Sequence, residues 1–346
     1  MADITYIFGA GASCQSMPLV SNFKERFDVF EEHLRLSSSS LNLALLQDIR
    51  QFKKEINSHF SFDTYFKKLF HQESDNKLID KSKVLLLLFF LFEHLADQET
   101  LKGNQIFQKL EKDQKQKKLN IDPRYEALIA GLIKPIRGKS EFYTNINLFT
   151  WNYDVNLLFA LKNFIAPTEK FSHFIKTRNK KDYIEISNQI KLFHLNGFIS
   201  HSILDEFYSD DALNSFHHLM VNYNVLDLSE YTNNLKFSWE QEEIPKKEIE
   251  TCISNSSTII LIGYSLPLYN RTIDTAILNH SKLQGKTLII QNIDSKSIAE
   301  ILESDFNINT ASRKSKEDPI IKLHDNCSSF IVPNSSFESF GEYYII

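Results

Sequence analysis

The strongest constraint on what this chain can fold into lies at its start. A short β-rich apolar run, Ile4 to Phe8, enters Gly9-Ala10-Gly11-Ala12-Ser13, and helical apolar spacing follows past Pro18, from Asn22 to Leu34. Glycines let a backbone turn tightly and approach a phosphate closely, and the helix that follows presents free N–H groups to the anion. The strand–turn–helix unit therefore suits the phosphates of a nucleotide. A plain tight turn is the alternative reading. The fingerprint of hydride-transferring dinucleotide enzymes asks for a third glycine where Cys14 stands. It also asks for an acidic residue ending a second strand, whereas Asp28 and Glu31 lie in a helical pattern.

Between about residue 35 and residue 140 there is no comparable strand. Ser37 to Ser40 reads as a loop, and Phe62, Tyr65, Phe66, Leu69 and Phe70 form the stripe of a helix with one buried face. Val84 to Phe92 is apolar nearly all round, yet it is about half the ~20 residues of a membrane span. It predicts a central core helix. Lys109 to Lys118 is locally basic and reads as a solvated helix end or loop, with a phosphate-binding tract as the alternative. Strand signals resume at Ile146–Thr150, Ile190–His194, Thr258–Gly263 and Thr287–Gln291, with helical segments from about Asp154, Asn270 and Ser295. Alternating strands and helices predict an α/β fold, a doubly wound Rossmann-like parallel sheet. The expected organisation is one domain over 1–346, with a helical insertion at about 35–140 between the first and second core strands.

Ligands of such sheets bind beyond the carboxyl ends of the strands. Four clusters stand there. The first is Gly9, Gly11, Ala12 and Ser13. In the second, Asn152 can orient water or hydroxyls and Asp154 supplies a carboxylate, or else caps the next helix. In the third, His194 is a candidate acid/base group or a structural hydrogen-bonder, and period two puts Asn196 on its face. In the fourth, Gly263 and Ser265, joined by Asn292 and Asp294, suit ribose and adenine contacts or serve as loop and cap residues. His217 and His218 have no Cys or acidic partner at clear ligand spacing, so no metal site is expected there.

The net charge of −5 gives no general basic field, so no direct nucleic-acid partner is expected. Three widely spaced cysteines, Cys14, Cys252 and Cys327, build neither a disulfide framework nor a four-thiolate zinc site, which favours the reducing cytoplasm. Nothing at the N-terminus reads as a signal peptide, and no membrane partner is expected.

Together, and in this order, the clusters resemble the sirtuin (silent information regulator) family, in its sirtuin-like bacterial branch. Its GAG-x-S, T-x-N-x-D, H-G and G-x-S elements and its late Asn correspond to Gly9–Ser13, Thr150–Asp154, His194–Gly197, Gly263–Ser265 and Asn292–Asp294. The resemblance implies NAD+ as substrate. Gly9, Gly11, Ala12 and Ser13 would hold its pyrophosphate, Asn152 and Asp154 would sit by the nicotinamide ribose and carboxamide, and Ser265, Asn292 and Asp294 would contact the adenosine half. The family's histidine directly precedes its glycine. Here Asn196 has that place and His194 stands two residues earlier, so either position is open for the role.

The four cysteines of the family's zinc ribbon are missing, since residues 198–257 hold Cys252 alone. No zinc and no protein deacylase are therefore expected. Sirtuin-like proteins of this kind look like NAD+ hydrolases of antiphage, abortive-infection systems, and a non-catalytic NAD+/ADP-ribose-binding module is the alternative. Such an activity would be held in check by homo-oligomer formation or by a partner such as a HerA-like hexameric ATPase or a short Argonaute. The aromatic tail Phe337–Ile346 is expected to be either a contact surface or a final strand.

Overall fold

Strand β1 (Asp3–Phe8) sends Ile4, Tyr6 and Phe8 into one hydrophobic cluster and Ile7 into another. This is the period-two alternation of a strand buried on both faces. A computed structural model describes residues 3–36, 43–59, 61–72, 76–95, 119–134, 141–180, 183–197, 212–225, 235–237, 239–240, 245–310, 318–333 and 343–345, with 232 and 315 singly.

After β1 and a 3-10 turn at Ala10–Ser13 come α1 (Phe23–Leu36), α2 (Leu43–Asn57), α3 (Phe62–His71), α4 (Asn76–Leu95) and α5 (Pro123–Leu132). The chain continues through β2 (Ile146–Thr150), α6 (Asn156–Ile165), α7 (Phe171–Arg178), β3 (Asn179–Lys180), β4 (Tyr183–Ser187) and β5 (Ile190–His194). Next are α8 (Ala212–Asn222), α9 (Lys246–Asn255), β6 (Ser256–Ile262), α10 (Arg271–Ile277) and α11 (His280–Leu283). It closes with β7 (Thr287–Gln291), α12 (Ser295–Phe306), β8 (Ile320–His324), β9 (Ile331–Pro333) and β10 (Tyr343–Ile345).

Among the described residues the main sheet has eight strands, in the order β3-β4-β5-β2-β1-β6-β7-β8. From β5 to β8 every pairing is parallel, while β3 and β4 add an antiparallel edge. Numbered by their own sequence, the parallel strands run third, second, first, fourth, fifth, sixth. That is the order of dinucleotide-binding sheets. Its switch point falls between β1 and β6, where the chain crosses from one half of the sheet to the other.

The α/β sheet predicted from sequence is thus present, and the structure adds the β3–β4 edge and β8. The elements described between β1 and β2 are all helices, and they share one hydrophobic cluster with β1, β2 and β5. Helix α4 buries every residue from Val84 to Phe92, as a core helix does. No helix among the described residues is long and apolar enough to cross a membrane. Ser37–Ser40 and Lys109–Lys118 lie outside the described residues. Of the tail, Tyr343–Ile345 pairs antiparallel with β9, as the strand reading expects.

Local signals set the helices that matter to the site. Ser61 and Thr64 form a reciprocal capping box that starts α3, which places Asp63 in its first turn. Asp122 caps α5 with Pro123 in its first turn. Asp294 caps α12, which ends on Asn307 in the left-handed region.

Candidate functional site

At the switch point the turn after β1 and the turn after β6 are interlocked. The Gly11 N–H donates to Gly263 O at 2.9 Å, and the Gly9 N–H donates to Ile262 O at 3.0 Å. A Cβ on Gly9 would lie 2.5 Å from the Tyr264 Cα, and one on Gly263, at φ +57°, would lie 2.3 Å from the Ala12 N. Backbone crossing backbone therefore accounts for these glycines. The Ala12 N–H is likewise donated, to Gly9 O at 2.9 Å. Three of the amides that the resemblance assigns to a pyrophosphate are thus committed within the fold. From below, Arg124 clamps the same turn, donating to Ala12 O at 2.9 Å and to Cys327 O at 2.7 Å.

Beside these turns lies a pocket of about 100 Å³. Gly9, Ala10 and Ser13 from the first turn, Trp151 to Asp154 after β2, and Tyr264 and Ser265 after β6 line it. Helical residues Phe23, Phe62, Asp63 and Phe90 close it from the side of α1, α3 and α4. The result is an aromatic cleft carrying a few convergent polar groups.

The polar floor is a connected network. The Asn152 Nδ2 donates to Ser13 Oγ at 3.0 Å and to Tyr125 OH at 3.4 Å, and Ser13 Oγ and Tyr125 OH share a bond of 3.0 Å. With Nδ2 so engaged, Oδ1 is the acceptor end of a fixed amide. Asp154 Oδ1 accepts from the Asn156 N–H at 3.0 Å and from the Asn156 Nδ2 at 2.7 Å. Burial pushes the Asp154 pKa up, and hydrogen bonds from Ser13 and Asn156 pull the other way.

A second carboxyl escaped the sequence reading. Asp63 is buried in the pocket lining and accepts from Tyr153 OH at 2.8 Å and from Tyr269. Burial raises its pKa to about 6, against the opposing pull of the two tyrosines. Its only sequence signal was an acidic residue in a capped first turn, which ordinarily means a helix start.

The other predicted residues spread out. Ser265 lines the pocket and is exposed. Gly11, Ala12, Gly263, His194, Asn196, Asn292 and Asp294 are not part of the lining. His194 is half-buried at the end of β5, opposite Thr150. The expected alternation from His194 to Asn196 does not hold, because β5 ends at His194 and Asn196 lies in a turn. Asn196 is buried and its Nδ2 donates to Trp151 O at 2.9 Å, which steadies the loop bearing Asn152. Asn292 reaches the backbone of the β6 turn, Nδ2 to Tyr264 O at 3.4 Å. Asp294 accepts from Ser297, as a helix cap does.

Also in the lining, the Trp151 and Tyr264 rings stack, with centroids 5.8 Å apart and 13° between planes. Tyr264 OH donates toward Asp274 at 2.8 and 2.9 Å, and Asn270 Nδ2 donates to Tyr264 OH at 3.1 Å. Burial pushes Asp274 up to about 8. Trp151 Nε1 and Asn270 Oδ1 have no hydrogen-bond partner among the described residues. Each unmet bond costs on the order of 1–3 kcal/mol in a buried setting.

Among the described residues no group of three or more His, Cys, Asp or Glu is placed to hold a metal ion. No family model matches the chain, and a search of curated proteins finds no match.

Proposed function

We propose that the chain is an NAD+ glycohydrolase, cleaving NAD+ to nicotinamide and ADP-ribose. The observation that carries this reading is the convergence of Asn152, Asp154 and Asp63 on one aromatic pocket at the switch point of a dinucleotide-type sheet. The C1′–nitrogen bond of NAD+ breaks with its electron pair going to the pyridinium, which leaves as neutral nicotinamide. Strong acid catalysis is therefore unnecessary. The site must instead stabilise an oxocarbenium-like sugar and position a water. Buried carboxylates supply the negative field, Asn152 Oδ1 orients the water or a ribose hydroxyl, and a carboxylate takes the proton that the water loses on bonding to C1′. Incubation of the purified chain with NAD+, alone and with a candidate activator, tests this. No loss of NAD+ under any activated condition overturns it.

One observation favours a second reading, a non-catalytic module that binds NAD+ or ADP-ribose. Among the described residues no histidine lines the pocket. Saturable NAD+ binding without consumption is the outcome that this reading expects.

The raised pKa of Asp63 makes a signed prediction. The carboxyl holds its proton more tightly folded than unfolded, so its share of stability is complete below about pH 4 and is lost as pH rises through about 6. Activity runs the other way, because only the ionised form supports the sugar cation. The kcat/KM for NAD+ should fall about tenfold per pH unit below 6. In Asp63→Asn that limb should vanish and the plateau should drop by about 100-fold. An unchanged acid limb in the variant would move the titration to Asp154.

A further inference from the structure

Among the described residues, two buried polar atoms without partners, Trp151 Nε1 and Asn270 Oδ1, belong to residues that line the same pocket and rest on one tyrosine. Trp151 stacks on the Tyr264 ring, and Asn270 donates to the Tyr264 hydroxyl. Both side chains are almost fully buried, Trp151 at 4 % and Asn270 at 3 % exposure. Their orientations are held from behind. Tyr264 directs its hydrogen to Asp274, so its oxygen accepts the Asn270 amide nitrogen, and Oδ1 becomes the free end. The ring stack fixes the indole, and Asn196 holds the backbone of Trp151.

One unmet donor and one unmet acceptor, set beside stacked aromatic rings, define a complement. We infer that Trp151 Nε1 and Asn270 Oδ1 form a recognition pair for a planar heteroaromatic edge that carries an N–H donor next to an acceptor. A primary carboxamide on a pyridine ring presents such an edge, and so does the amidine edge of adenine. Trp151 donates to the ligand's acceptor and Asn270 accepts from its amino group. This assignment rests on the reading of the pocket as the NAD+ site, and it makes these two residues the specificity determinants there. A ligand without the amino group leaves Asn270 Oδ1 unmet, which is where the discrimination comes from.

The test is a binding titration on the full chain by ligand-observed NMR, with two ligand pairs. Nicotinamide is set against 3-acetylpyridine, and AMP against purine riboside monophosphate, which lacks the amino group. The wild type should bind the amino-bearing member of one pair about tenfold more tightly, and that pair identifies the ring. Asn270→Ala should erase the preference. Trp151→Phe keeps an aromatic stack and should weaken both members of the pair about tenfold, since both retain the acceptor. Should Asn270→Ala fail to fold, as judged by its melting curve, Trp151→Phe carries the test alone. No preference in either pair, a preference that survives in Asn270→Ala, or unchanged binding in Trp151→Phe overturns the inference. NAD+ consumption is scored separately. Loss of the hydrolase reading with the ligand preference intact leaves this pair standing, and hydrolysis without any preference removes it alone.

Discussion

Asn152→Ala should lower the rate of NAD+ consumption by about 100- to 1000-fold while leaving NAD+ binding within a few-fold of wild type. The asymmetry follows from what the amide does. Its Nδ2 is committed to Ser13 and Tyr125, so the side chain enters the pocket in one orientation with Oδ1 as acceptor. An acceptor that orients the attacking water matters more in the transition state than in the bound substrate. Stability should fall by about 1–3 kcal/mol, because Ser13 and Tyr125 keep their bond to each other when the amide is removed. His194→Ala is the informative companion. His194 does not line the pocket, so its loss should cost less than about tenfold. Steady-state consumption and calorimetric NAD+ binding on both variants decide the matter. If His194→Ala is dead and Asn152→Ala active, the chemistry belongs elsewhere than this pocket.

The contrast between these two residues shows what a sequence can and cannot convey about such a site. Ser13, Asn152, Asp154 and Ser265 were legible because each directly follows a strand that is buried on both faces. Continuous apolar runs mark such strands, and the fold places their ends together. His194 had the same signal, but the alternation that would pair it with Asn196 stops where β5 stops. Asp63 reaches the pocket from a helix far away in sequence, and Tyr269 and Asn270 from the short helical turn that follows Ser265. Their local patterns describe only a helix start or a turn. Strand β8 was missed for a related reason. As an edge strand it leaves Ile320 and Leu323 partly exposed and carries Lys322 between them, so no apolar run announces it.

The largest effect on stability is expected at Gly263. In Gly263→Ala the new Cβ would stand 2.3 Å from the Ala12 N, 2.4 Å from the Gly11 carbonyl carbon and 2.7 Å from the Gly11 Cα. All three are backbone atoms, so no rotamer change relieves the overlap. The turns after β1 and β6 must separate, which breaks the Gly11 N–H to Gly263 O bond at the switch point. The φ of +57° adds about 1–2 kcal/mol for an L side chain. A total above about 4 kcal/mol is expected, against a typical domain stability of about 5–15 kcal/mol. Gly285→Ala supplies the control. Its φ is +69° and nothing lies within 4 Å of the added Cβ, so it pays the conformational term alone. Gly263→Ala should therefore melt on the order of 10 °C below wild type or fail to accumulate in soluble form, with Gly285→Ala only a few degrees down. Equal melting temperatures for the two variants would show that close approach is not what requires glycine at 263. The outcome bears on the function as well. If the glycines at 9, 11 and 263 exist to let two turns cross, their role is to hold the turns together, and recognition of a ligand falls to the side chains that line the pocket.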